Sequence, residues 1–285
     1  MRGSSHIGSK RRKPDFAQTK DQKCDLSSGP GQLSIVGLGP GSADLLAPAA
    51  KEAIKRSRVV VGYRRYIQLM DQKLLEGKEV ISTGMKGEIE RCQKAIEKAL
   101  MGLNTVVVSS GDPGIYGMAG LVLELIEKDR LEGKVEIEVI PGIPAFAASA
   151  ALLGAPLMHD FSVVSLSDLL TPWELIKKRI KAALHADFVL VIYNPKSTVR
   201  NWQLKEVLKE VESIRGGSVP VGIVRNATRK GEKVTIVKAR HVDPDSVDML
   251  TVLIIGNSQT RMVGNKMLTP RGYMERFSSR SQPTL

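Results

Sequence analysis

The chain reads as an α/β protein of two domains flanking a cleft, the first built on a mostly parallel five-stranded sheet and the second on a mixed sheet. Three observations lead there. Short β-branched runs alternate with helical stretches between residues 33 and 153, the pattern of a parallel sheet with crossover helices. At 285 residues and 42% hydrophobic content the chain is long enough for two cores. Loops rich in glycine and proline recur where the predicted strands end, which is where open α/β sheets bind ligands.

Residues 1–31 are rich in Ser, Gly, Lys and Arg without apolar periodicity, and are predicted to be a disordered basic extension. A first strand is predicted over 33–37, followed by the loop Leu38-Gly39-Pro40-Gly41-Ser42 and an amphipathic stretch over 43–55. This loop lacks the dinucleotide fingerprint, since position 42 is Ser and Pro40 intrudes; no Gly-Lys-Ser/Thr of a P-loop occurs either. Strands two and three are predicted over 59–61 and 79–81, with a short helix over 66–70 between them. The stretch 88–101 places Ile89, Cys92, Ile96, Ala99 and Leu100 at helical spacing. A fourth strand over 105–108 enters the loop Ser110-Gly111-Asp112-Pro113-Gly114, and a helix follows over 121–126. Glycines there leave backbone uncrowded, and Asp112 is the one charge the loop offers a ligand. The fifth strand, 135–140, ends at Pro141-Gly142-Ile143-Pro144-Ala145, from which a small-residue helix runs over 146–153. The first domain is thus expected over 32–153.

Gly154-Ala155-Pro156-Leu157 breaks the pattern and is the expected boundary. In the second domain, 154–270, β-type runs occur at 161–166, 188–193, 220–224, 234–237 and 251–255. Helical patterns lie only between the first three, at 173–184 and 202–211. Later connections are too short for crossover helices, and Arg229-Lys230-Gly231-Glu232 is a hairpin-turn candidate, so antiparallel pairing is expected. Residues 271–285 read as a frayed tail.

The net charge is +12. Seven basic residues face three acidic ones before position 33, and three face one from Arg271 onward, so half of that charge belongs to the body. This suits an acidic partner. Aromatic content of 4% without basic–aromatic interleaving counts against base stacking, which makes a small polyanion at least as good a reading as nucleic acid. Cys24 and Cys92 belong to no CxxC pair, so neither a disulfide framework nor a metal site is expected. No run of about 18 uncharged apolar residues and no signal-peptide pattern occur, so a cytoplasmic protein without a membrane span is expected.

Five unusual loops, the last two being Tyr193-Asn194-Pro195-Lys196-Ser197 and Arg225-Asn226-Ala227-Thr228-Arg229, each close a predicted strand, and together they suggest one ligand cleft between domains. Four stretches resemble the S-adenosylmethionine-dependent tetrapyrrole methylase family of cobalamin biosynthesis. They are Val36-Gly37-Leu38-Gly39-Pro40-Gly41, Ser110-Gly111-Asp112-Pro113, Pro141-Gly142-Ile143-Pro144-Ala145 and Leu250-Thr251-Val252-Leu253-Ile254-Ile255-Gly256. Gly62-Tyr63, Thr83-Gly84-Met85 and Thr171-Pro172-Trp173 look most like the precorrin-3B C17-methyltransferase branch, which methylates C17 of the macrocycle and contracts the ring.

The resemblance implies a homodimer of the tetrapyrrole methylase fold. It implies a cofactor, S-adenosylmethionine, lying between domains against Pro40, Gly111, Asp112, Ile115, Ala119, Pro144, Ala145, Tyr193, Asn194, Asn226, Ala227 and Thr251. Where the family often has Thr this chain has Pro144, so no side-chain hydrogen bond is expected from it. The macrocycle's carboxylates give Lys86, Lys196, Arg225, Arg229 and Lys230 an expected use on the cleft rim. Asp112 is expected either to accept hydrogen bonds from the cofactor or to act as the catalytic base. His159, beside Asp160, is a further candidate for proton exchange in the cleft, whereas His185 and His241 read as surface residues. Two alternatives from other classes remain: a ribosomal RNA methylase on the same scaffold, and a non-catalytic nucleotide-binding regulator.

Overall fold

The computed structural model describes residue 29, residues 31–274 and residue 276, so the expectations for the basic extension and for most of the tail lie outside the described residues. The first sheet consists of β1 (Gln32–Gly37), β2 (Val59–Tyr63), β3 (Glu79–Thr83), β4 (Thr105–Ser109) and β5 (Glu136–Ile140). They lie in the order β3-β2-β4-β1-β5, and every pairing is parallel. The connecting helices are α1 (Pro48–Arg56), α2 (Arg64–Leu69), α3 (Glu88–Leu100) and α4 (Ala119–Lys128).

These strands are near-continuous apolar runs because both faces are covered. Leu33, Ile35, Val59, Val61 and Val107 pack with α3 and α4, while Val36, Val60, Val106 and Val108 pack with α1 and α2. Chain order reverses between the neighbours β1 and β4, which makes their carboxyl ends the switch point of the sheet.

After α5 (Ala145–Leu153) and the two-residue β6 (Gly154–Ala155) comes the second sheet, formed by β7 (Phe161–Ser165), β8 (Val189–Tyr193), β9 (Pro220–Arg225), β10 (Lys233–Lys238) and β11 (Thr251–Ile255). Its order is β10-β9-β11-β8-β7. β7 and β8 are parallel, whereas β11 is antiparallel to both β8 and β9, and β10 is antiparallel to β9, so the sheet is mixed as expected. Helices α6 (Trp173–His185) and α7 (Gln203–Arg215) cover one face over Leu190, Ile192, Val221, Leu253 and Ile255.

The other face is covered by α5. Ala148, Ala150 and Leu153 sit in one core with Val189, Val191, Val224, Val252 and Ile254, and Gly222 of β9 leaves the space that the Leu153 side chain fills. The helix assigned from sequence to the first domain therefore packs with the second sheet. We place the changeover between the two cores at Pro141–Pro144, ahead of the boundary expected at Gly154. β6 instead joins a small third sheet with the hairpin β12 (Arg261–Val263) and β13 (Lys266–Leu268), which the sequence reading did not anticipate.

Candidate active site

The carboxyl ends of β1, β4 and β5 are locked together by backbone. Gly39 and Gly111 exchange both of their N–H···O bonds, at 3.1 and 2.8 Å, and the Leu38 N–H donates to the Ser109 carbonyl at 2.8 Å. A Cβ on Gly37 would come within 2.6 Å of the Gly111 carbonyl oxygen and of the Gly142 nitrogen, and one on Gly142 would collide with the same carbonyl. At Gly37 and Gly142, then, the missing side chain lets loop meet loop.

Asp112 continues this lock. Its Oδ1 accepts from the Gly114 N–H at 2.8 Å and its Oδ2 from the Gly142 N–H at 3.1 Å, which ties the β4 loop to the β5 loop. An ionised carboxylate offers about four lone-pair sites, so two remain for a ligand.

In the second half β7, β8 and β9 run the same way and β11 starts where β9 ends, so Tyr193, Arg225 and Thr251 share one end of the sheet. Asn194 and Asn226, each the first residue past its strand, adopt left-handed backbone with φ of 50° and 52°, which asparagine tolerates better than most side chains. Asn194 donates from Nδ2 to the Ser165 hydroxyl at 2.9 Å, and its carbonyl accepts from the buried Arg200 guanidinium at 2.9 Å.

The Arg225 guanidinium donates to Asp248 Oδ2 at 2.8 Å, while Oδ1 of that carboxylate accepts from the Leu250 N–H and from the Thr251 hydroxyl, both at 2.9 Å. Burial works to raise the Asp248 pKa, but these hydrogen bonds outweigh it and hold the group below its ordinary value. The Tyr193 hydroxyl accepts from the Phe146 N–H at 2.9 Å, and burial pushes its pKa up to about 12, so the phenol is neutral.

Among the described residues, side chains cross between the halves at two places. Arg229 donates from Nε to the Pro40 carbonyl at 2.6 Å and from Nη2 to the Ser110 hydroxyl at 2.7 Å, and next to it the Ser42 N–H donates to the Thr228 hydroxyl at 3.3 Å. Burial lowers the Arg229 pKa, with the neighbouring Tyr66 working against that. From the first half, the Tyr116 hydroxyl donates to the Val163 carbonyl and accepts from the Ser165 N–H, both at 3.1 Å. Its ring lies 5.6 Å from that of Tyr193.

The structure thus gathers Pro40, Gly111, Asp112, Ile115, Pro144, Ala145, Tyr193, Asn194, Asn226 and Ala227 around the facing strand ends. Three of the expected contacts are otherwise engaged: the Ala119 methyl is packed in the core of the first sheet, the Ala227 methyl in that of the second, and the Thr251 hydroxyl is turned onto Asp248. Pro144 opens α5 without a side-chain cap, as its chemistry requires.

Of the expected rim cations, Lys86 and Lys230 are exposed. Arg225 is paired with Asp248, and Lys196 with Asp245 at 2.7 Å. Arg229 spans the two halves and does not stand free on the rim. His159 lies before β7, at the end of the sheet away from these loops, and its Nδ1 accepts from the Asp160 N–H at 2.8 Å. Tyr116, Ser110 and Thr228 were not singled out from sequence. The available signal was Tyr116 itself, an aromatic side chain set among four glycines.

Residues 32–243 match the model of the tetrapyrrole (corrin/porphyrin) methylases. Over 242 residues the chain is 49% identical to a probable cobalt-factor III C(17)-methyltransferase of Salmonella typhimurium, covering 85% of this chain and 99% of that protein. It is 47% identical over 250 residues to a cobalt-factor III methyltransferase of Priestia megaterium, where the match covers 87% of this chain but only 46% of the longer relative. The crystal structure of the methyltransferase CobJ superposes with a TM-score of 0.81 at 37% identity, covering 84% of this chain and all of that one.

Proposed function

This chain belongs to the tetrapyrrole (corrin/porphyrin) methylase family, and from that membership we propose that it transfers a methyl group from S-adenosylmethionine to C17 of cobalt-factor III, with contraction of the macrocycle. The observation that carries the reading is that strand-end loops of the two halves face one another and are joined through Arg229 and Tyr116, in a chain that matches a relative named for this reaction over nearly that relative's whole length. The names of both relatives favour the cobalt-containing acceptor over metal-free precorrin-3B.

The residues present fit such a cofactor. Asp112 keeps free lone pairs among neutral backbone groups, which suits a ligand bearing a sulfonium and an ammonium better than it would suit a phosphate. Asp112, with the backbone of Gly111, Ile115, Ala145, Asn194, Asn226 and Ala227, would hold it, and Tyr193 would wall it. The cofactor supplies a methyl group already activated for transfer.

What remains for the protein is alignment, a contribution that can reach about 7–11 kcal/mol. Backbone loops locked against one another are suited to that task, and the neutral Tyr193 phenol brings no competing charge to the sulfonium. The same reading takes the protein as a cytoplasmic homodimer. No helix among the described residues is long and apolar enough to cross a membrane.

Incubation with S-adenosylmethionine and either cobalt-factor III or precorrin-3B, followed by mass and absorbance spectra, tests the assignment. Gain of one methyl on the cobalt form is expected. Absence of methyl gain on both macrocycles would overturn it.

A further inference from the structure

We propose that Arg229 and Tyr116 are positioning residues, two struts that fix how far apart the halves of the cleft stand. Arg229 leaves the β9–β10 turn of the second half, and that turn is itself held: the Arg229 N–H donates to the Asn226 carbonyl at 2.9 Å, and its carbonyl accepts from the Glu232 N–H at 3.0 Å. From this fixed base the guanidinium reaches one acceptor after β1 and another after β4. The site is shaped for it. A Cβ on Gly41, where φ is 146°, would run into the Arg229 side chain, with Cδ 2.8 Å away. Two donors held in one plane make this double contact, and a lysine ammonium on a flexible stem does not reproduce it.

Tyr116 makes the opposite crossing, from the β4 loop onto β7, and its backbone is held at a φ of 52° to do so. In the second sheet β9 and β7 are three strand spacings apart, about 14 Å. The struts therefore grip at two separated points, and of the strands between them β8 ends in the loop that carries Asn194 and β11 begins beside Asn226. One strut alone would leave the halves free to pivot, while two resist it. Domains that meet through polar contacts are by default mobile, and a misplacement of about 1 Å in an alignment-driven reaction costs on the order of 100-fold in rate.

The kinetic part of the test rests on the methyl transfer proposed above, and the binding and distance parts do not. In Arg229→Lys, cofactor affinity by calorimetry is expected to weaken about tenfold and kcat to fall about 30- to 100-fold, with macrocycle KM within about threefold. Tyr116→Phe, which removes a single oxygen and keeps the ring, is expected to move the same two quantities by about a third as much on a logarithmic scale. Ser110→Ala is expected to add almost nothing in the Arg229→Lys background, since both changes cut one strut.

Without any ligand, spin labels at K51C in α1 and K209C in α7, with Cys24 replaced by Ser, are expected to give a broader distance distribution in either variant. A rise in macrocycle KM alone for Arg229→Lys would overturn the proposal in favour of direct contact with a substrate carboxylate. Full additivity with Ser110→Ala, or an unchanged distance distribution in both variants, would overturn it as well. If Arg229→Lys does not fold, Tyr116→Phe decides. If the unaltered protein methylates neither macrocycle, the reaction assignment fails while the distance measurement still judges the struts.

Discussion

The two halves of the cleft are built by different means. In the first, the loops after β1, β4 and β5 meet main chain against main chain, and Gly37 and Gly142 lie so close to the Gly111 carbonyl that neither has room for a side chain. In the second, the loops after β8 and β9 are held by side chains: the left-handed Asn194 and Asn226, the buried Arg200, and the Arg225–Asp248–Thr251 set. The first half is fixed chiefly by shape, with one charged tie, the Asp112 carboxylate. The second is fixed by charge-assisted hydrogen bonds and feels pH more. The proposed cofactor, lying between them, would meet one wall that adjusts little and one that adjusts more.

The sharpest way to break this contrast is Gly142→Ala. The new methyl meets backbone that is itself hydrogen-bonded, so relief requires moving a strand end, and a loss of about 3 kcal/mol is expected in urea unfolding. A change below about 0.5 kcal/mol would show that the first wall is softer than its geometry says.

Next in size comes Asp112→Ala, which strips acceptors from the Gly114 and Gly142 N–H groups and separates the β4 loop from the β5 loop. Stability is expected to fall by about 1–2 kcal/mol, with cofactor affinity falling alongside it and macrocycle binding less affected. Unchanged cofactor affinity by calorimetry would confine Asp112 to its bracing role.

The smallest effect concerns pH. The Asp248 pKa is held below its unfolded value, so the stability it contributes is fully present at neutral pH and is lost as pH falls below about 4 and through the folded value. The difference in melting temperature between the native protein and Asp248→Asn is therefore expected to shrink below that pH. The difference between native and Gly142→Ala, which is set mainly by a steric clash, is expected to change less there. If both respond to acid alike, the contrast between the walls fails.

The strands were legible because their runs bury alternate residues in two cores, so valine and isoleucine crowd every position; bounds differ from the sequence reading by a residue or two. The loops were legible because glycine and proline mark them. The home of α5 was not. Ala145–Leu153 is apolar on nearly all sides, so periodicity names no face and cannot choose between two sheets. The hairpin of β12 and β13 carried a signal, Gly264-Asn265, but strands of three residues are too short to show alternation. Arg229 lay furthest out of reach. Its acceptor Pro40 is 189 positions away in sequence, and an arginine in a loop looks the same whether it meets solvent, substrate or the other domain.

Tyr116 has one more consequence. β7 is the outermost strand of its sheet, and the Val163 carbonyl and the Ser165 N–H point away from β8, toward where a further strand would pair. An open row of such groups is a template for another chain, and its occupation by a phenol hydroxyl from elsewhere in the molecule closes it. Removing that hydroxyl should thus do more than loosen the contact between the halves: at high concentration it should leave the sheet open to edge-to-edge pairing between molecules.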